Sequence, residues 1–378
     1  MTTSTHANTP GFKRLTASDR PGVAQPVPER EVPDLPWAAI LLIACLLTLA
    51  MLAAWEWHWR AYGVLPSYRN SDGAWAQQRR RIDSGEADAL VLIGSSRVLF
   101  DVQLPEWEKA TGTRPIQLAL QGTSPVPILE DLAANSHFKG RLLIGVAPDL
   151  FFSGFAARGD VVKYYHDQGP SQRSGHWLSQ HFLEPYFAFY EPDFALATVI
   201  NRLPWPVRTG VNRPPPVRKL SVSDADRNTT MWQKVETDMA YQTMARNTWA
   251  ERFNSPRPEP MNTPEKMQKV IETQIARAET AVKILRARGV RLLFLRPPSS
   301  GDFYAFENKA FPRASTWDEL LRRTAAKGIH FEDYPEFQGL NLPEWSHLSA
   351  ADARKFTRAL APMVEQAFRD MEPANASK

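Results

Sequence analysis

A chain of 378 residues can bury a substantial core, and its 23% charged residues with a net charge of only +4 give no argument for a nucleic-acid partner. The single cysteine, Cys45, excludes an intrachain disulfide and a thiolate metal cluster.

Residues 1–35 are rich in Thr, Ser, Pro and charge, cannot bury enough apolar surface to order themselves, and are expected to be a disordered cytoplasmic tail. Residues 36–58 follow as an expected transmembrane helix. Its run WAAILLIACLLTLAMLAAW, Trp37 to Trp55, carries no charge and is long enough to cross a hydrocarbon core. Tryptophans bracket it, with Trp37 before and Trp55, Trp57 and Trp59 after, as suits indoles at the headgroup level. No clean small-x-small site follows, so the expectation is an uncleaved anchor. Arg20 and Arg30 on one side are balanced by Arg60 and Arg69 on the other, so charge does not orient it.

Residues 59–87 are polar and read as a juxtamembrane linker with one helix lifting the next domain off the membrane. Its Arg79-Arg80-Arg81 is expected to be solvated or to face lipid, with phosphate contact the rarer reading. From residue 88 to 378 short apolar runs alternate with helical stretches, the pattern of a largely parallel sheet covered on both faces. Strands are expected at 89–93, 116–120, 141–146, 290–295 and 329–332. Ser124-Pro125 reads as the start of a helix carrying Ile128, Leu129 and Leu132 inward.

Between about residue 152 and residue 262 the periodicity fails, and a large irregular insertion is expected. Its many aromatics, Trp177, Trp205, Trp232 and Trp249 among them, would build a small core of their own or, less often, a stacking platform for sugars. Thr263-Pro264 then opens an amphipathic helix closed by Gly289. Near the end, Ser349 and Asp352 form a capping box for a helix with Phe356, Leu360, Val364 and Phe368 on one side.

Ester chemistry needs a nucleophile, a base, a group that orients the base, and donors for the oxyanion. Ser96 stands just past the first expected strand, where its hydroxyl can project into a crevice. His347 precedes the last helix, and Glu344 is placed to fix its tautomer, with Asp333 as the fallback. His166, His176 and His181 lack the spacing of a metal site, and no metal or cofactor is expected.

In these blocks the chain resembles the SGNH (GDSL-like) hydrolase superfamily. Gly94-Ser95-Ser96-Arg97 is similar to its nucleophile turn, Gly122 to the glycine after strand two, and Glu344-Trp345-Ser346-His347 to its terminal acid and base block. The resemblance implies a three-layer flavodoxin-like α/β fold with Ser96 as nucleophile, His347 as base and Glu344 as its orienting acid. It also implies oxyanion donors at the backbone N–H groups of Ser96 and Gly122. Two positions depart from the pattern. Asp149, in Gly145-Val146-Ala147-Pro148-Asp149, stands where an asparagine is expected, and Glu344 replaces an aspartate.

With the anchor, the chain looks like the accessory proteins of bacterial exopolysaccharide O-acetylation and of D-alanylation. That implies an O-acyltransferase or esterase on a cell-envelope or exported polysaccharide, with a membrane-bound O-acyltransferase as possible partner. It further implies a single pass of the inner membrane and an extracytoplasmic C-terminal domain. The alternative is a non-catalytic, glycan-binding or scaffold subunit, which the absent asparagine would permit.

Overall fold

The computed structural model describes residues 33–203 and 219–372, so most of the expected tail, Trp205 and Pro214-Pro215-Pro216 lie outside the described residues. By its contacts the chain divides into residues 1–53 and residues 54–378.

Helix α1, Trp37–Ala61, has a mean hydropathy of 2.5 over its apolar window and none of that window buried in protein. Its 25 residues extend roughly 37 Å, enough to cross a membrane. It runs three residues beyond the expected end, into the polar stretch containing Arg60.

The second unit is built on β1 (Leu90–Ile93), β2 (Ile116–Gln117), β3 (Arg141–Gly145), β6 (Arg291–Arg296) and β7 (Lys327–His330), in the spatial order β2-β1-β3-β6-β7. Every pairing among them is parallel. A separate antiparallel hairpin joins β4 (Ser221–Ser223) and β5 (Thr229–Met231).

Side-chain alternation along these strands sorts their residues into two cores. Val91, Ile93, Leu142, Ile144, Leu292 and Phe294 point to one face. There they meet α2 (Asp72–Asp83), α5 (Val126–Ala134), α12 (Pro264–Ala287) and α14 (Trp317–Thr324). Leu90, Leu92, Leu143, Leu293 and Leu295 point to the other, under α3 (Ser96–Asp101), α4 (Leu104–Thr111) and α15 (Ala350–Arg369). Two helix starts follow the expected chemistry, whereas α5 begins one residue later than expected, with Pro125 at the cap and the Ser124 hydroxyl accepting from the Val126 N–H at 3.4 Å. Thr263 caps α12, and the Ser349 hydroxyl accepts from the Asp352 N–H at the start of α15. The Asp352 carboxylate, however, does not close the capping box: it accepts from the Asn341 N–H at 2.8 Å and so pins the preceding loop.

The linker expected over 59–87 is instead partly core. Trp75, Ala76 and Ile82 of α2 are buried against the sheet, and Trp75 Nε1 donates to the Leu118 carbonyl at 2.9 Å. Arg79, expected in solvent or lipid, is fully buried because Asp131 receives its Nε at 2.8 Å and Asp83 its Nη1 at 2.9 Å. A buried guanidinium is tolerated when paired in this way. Strand β2 is shorter than expected, since beyond Gln117 only the Leu118 and Leu120 N–H groups still bond to the β1 strand end.

Just before the insertion lies α6 (Pro148–Phe151), and within it lie α7 (Val161–Asp167), α8 (Pro170–Phe182), α9 (Leu196–Asn201), α10 (Gln233–Thr237) and α11 (Met239–Asn254). Trp232 and Tyr241 join Val64, Ala188, Phe194, Met231 and Val235 in a small third core, as one of the two readings of the aromatics expected.

Candidate functional site

Ser96 is placed by close backbone packing at the carboxyl ends of two strands. A Cβ on Gly94 would lie 2.5 Å from Val98 Cγ2, and one on Gly145 2.0 Å from the same atom. Only glycine at both positions lets α3 seat its first turn directly over β1 and β3. Ser96 is the first residue of that helix, and its half-buried side chain lines a cavity of about 390 Å³ together with Gln121, Gly122, Trp249 and His347.

His347 lies in the loop before α15 and is held on three sides. Its Nδ1 is 2.8 Å from Glu344 Oε1, which also accepts from the His347 backbone N–H at 2.7 Å. Its ring stacks on Phe100, one turn along α3 from Ser96, with centroids 4.3 Å apart. Trp345, between the two functional residues, adopts φ 73°, a left-handed conformation costly for a tryptophan, and this sharp reversal folds Glu344 back onto His347.

The carboxylate can only accept, so the imidazole proton belongs on Nδ1 and the lone pair on Nε2. Nε2 is buried and has no hydrogen-bond partner among the described residues. The Ser96 hydroxyl shares its cavity without yet bonding to it, a looseness common in unliganded sites.

Glu344 is fully buried. Burial by itself would raise its pKa, but the adjacent His347 and three donated hydrogen bonds outweigh that and hold it below the ordinary carboxylate value. The third bond comes from Trp249 Nε1 to Glu344 Oε2 at 2.6 Å. Asp101, at the end of α3, accepts from the Leu348 N–H at 2.9 Å and ties the Ser96 helix to the His347 loop. Burial pushes the Asp101 carboxyl well above its usual range, against the lowering pull of that N–H and of Arg97.

Gly122 has φ 58° and lines the same cavity, and neither its N–H nor that of Ser96 donates to an acceptor among the described residues. Those are the free donors an oxyanion would use. Asp333 does not reach the site: both its oxygens bind Arg313 at 2.7 Å on the surface. Asp149 is likewise outside the cavity lining. It pairs with Arg252 at 3.2 Å, and burial, reinforced by repulsion from Glu307, raises its pKa. The three histidines of the insertion are engaged separately, His166 with Asp131, His176 with Gln77 and His181 with the Trp177 carbonyl.

Sequence reasoning left out the helix that holds the acid in place. Arg246, Trp249 and Arg252, spaced by three along α11, bind respectively the Pro343 carbonyl at 2.8 Å, Glu344 and Asp149. A residue recurring every third position marks one helix face, but in a segment without apolar periodicity that signal is faint. Phe100 was findable, because a helix opening at Ser96 returns position 100 near its starting face, whereas Asp101 falls on another side of it. Trp249→Phe should leave Glu344 Oε2 without a donor and cost about 1.5–3 kcal/mol, the worth of a hydrogen bond to a charged group. Denaturant unfolding of the two proteins checks this, and equal midpoints would refute it.

No family model matches the chain, and no curated protein matches it.

Proposed function

We propose that this chain is a membrane-anchored serine O-acyltransferase or esterase of the SGNH type, acting on acyl esters, acetyl foremost, of a cell-envelope or exported polysaccharide. The observation that carries the reading is the His347 imidazole, fixed at Nδ1 by buried Glu344 and left with an unpartnered Nε2 in the cavity that Ser96 lines.

In the chemistry that follows, Ser96 Oγ attacks the ester carbonyl while His347 Nε2 takes its proton. The oxyanion is met by the N–H groups of Ser96 and Gly122. Collapse expels the alcohol, which takes the proton back from His347, and leaves an acyl group on Ser96. A sugar hydroxyl or water, deprotonated by the same imidazole, then releases it. No metal or cofactor enters this scheme. A membrane-bound O-acyltransferase is the partner that would supply acyl groups. The apolar length of α1 supports a membrane anchor, and the resemblance of the sequence would put it in the inner membrane with the second unit on the extracytoplasmic side.

A second reading is favoured by one observation: Asp149, in the position of the missing asparagine, turns to Arg252 and contributes nothing to the cavity. With one donor fewer, transition-state stabilisation weaker by about 3 kcal/mol would suit a non-catalytic glycan-binding subunit. Labelling the full chain in detergent with a serine-reactive fluorophosphonate separates the two. The expected result is a labelled protein and an unlabelled Ser96→Ala variant, with hydrolysis of p-nitrophenyl acetate reduced roughly 10³-fold or more. Labelling of both forms, or of neither, favours the scaffold.

A further inference from the structure

The cavity over Ser96 extends well beyond the reacting groups, and its far side is formed by Ser67 to Ser71, the strip between α1 and α2, with Glu191, Asp193 and Lys219 of the insertion. Its volume, about 390 Å³, lies in the range of small-ligand sites, roughly 300–1,000 Å³.

Charge accounting over that wall leaves one group over. The Lys219 ammonium pairs with Glu191 and donates to Ser67 Oγ at 3.2 Å. Asp193 is matched by Arg202 at 2.9 Å. Among the described residues the Arg69 guanidinium has no carboxylate within ion-pair distance, although the Arg69 backbone N–H donates to the buried Glu184 carboxylate at 3.0 Å. Its guanidinium carbon sits 5.1 Å from the centre of the Tyr190 ring, and its Nε is buried with no acceptor. Beside it, Asn70 spends its carbonyl oxygen on Arg227, at 2.7 and 3.2 Å, while its Nδ2 is buried with no acceptor either. Two adjacent residues of that wall therefore carry unmet nitrogen donors, one of them charged, beside a cavity whose lining carboxylates are already paired. Such donors are costly to leave unmet, and a planar guanidinium is shaped for the two oxygens of a carboxylate or phosphate.

We infer that Arg69, seconded by Asn70, forms an anion subsite that binds a carboxylate or phosphate substituent of the glycan presented to Ser96. This rests on the acyl-transfer reading above and narrows its substrate to an acidic polymer. Arg69 is then a specificity determinant that grips the acceptor away from the reacting carbonyl. Tyr190 beneath the guanidinium limits its rotation and keeps it ready for the anion.

Equilibrium binding to the full chain in detergent tests this without needing turnover. Glucuronic acid, sn-glycerol phosphate and glucose are titrated into wild type and into Ser96→Ala, Arg69→Gln and Arg69→Lys variants, with a melting curve for each. At least one anion is expected to bind wild type and Ser96→Ala roughly 10- to 100-fold more tightly than glucose, and to lose that advantage in Arg69→Gln. Arg69→Lys, which keeps the charge but not the fork, should fall between them and covers the case in which Arg69→Gln melts early. The stronger of the two anions names the substituent. Anions that bind wild type no better than glucose, or bind Arg69→Gln or Arg69→Lys as tightly as wild type, would overturn the subsite. Tight Arg69-dependent binding by a protein that shows no Ser96-dependent labelling would leave the subsite standing and remove the enzyme.

Discussion

Glu344→Gln is expected to lower kcat/KM for an acetyl ester by on the order of 10³- to 10⁴-fold, a loss typical of an orienting carboxylate replaced by its amide. The reason lies in the donors around it. Glu344 Oε1 accepts twice from His347, and Oε2 accepts from Trp249 Nε1. A carboxamide offers one accepting atom to these two sites. If its oxygen stays on His347, its NH₂ meets the tryptophan N–H, donor against donor. If it flips, the NH₂ faces Nδ1 and forces the proton onto Nε2, where the base must be free. Either orientation leaves a buried group unmet, at about 1–3 kcal/mol of stability. Measuring ester turnover and the unfolding midpoint together checks both consequences, and a variant with near wild-type turnover would remove Glu344 from the site.

The same carboxylate fixes a pH dependence. Its folded-state pKa lies below the ordinary 4.5, so its stabilising contribution is complete above that value and is lost as pH falls through the lower, folded-state pKa. Glu344→Gln should flatten the acid limb of the stability curve.

Trp75→Ala should destabilise the second unit by about 3–5 kcal/mol, a large part of the 5–15 kcal/mol that usually holds a domain together. The indole is fully buried and its N–H is spent on Leu118 O. A chain begun at residue 88, where the sequence pattern first suggests a domain edge, would lose this side chain, the Arg79–Asp131 pair and the Ser67 to Ser71 wall of the cavity together. It is expected to aggregate or to expose apolar surface, whereas one begun near Ala54 keeps all three. Urea unfolding of the Trp75→Ala protein decides the matter, since an unchanged midpoint would mean that α2 is dispensable.

That edge was misplaced for a physical reason. The α2 sequence DGAWAQQRRRID has few apolar residues, and three arginines make it look solvated. What buries Arg79 is Asp131, 52 positions away, and no local pattern announces such a partner. The strands were legible because parallel strands buried on both faces are unbroken apolar runs, and LVLI and RLLIG are that. Helix caps were legible because they depend on one hydroxyl and the next few N–H groups. Ser96, His347 and Glu344 could be named from short blocks; Ser96 and His347 line one cavity, and Glu344 lies behind it, bonded to His347. Trp249 could not, for it acts from an insertion whose α11 is placed by contacts with the loop it supports. Asp333 and Glu344 were both available as acids, but Asp333 is spent on Arg313 at the surface, while the backbone reversal at Trp345 folds Glu344 onto His347.

The bond from Leu348 N–H to Asp101 joins residues 247 positions apart. Residues 96–101 are therefore made long before the loop that binds them. A chain cut short between residues 331 and 347 would carry every strand of the sheet but neither Leu348 nor the helix that follows it. Long loop closures of this kind form late and slowly. The contact that locks the Ser96 helix to the His347 loop is therefore expected among the last to form, so partly folded molecules would carry the sheet without the assembled cavity.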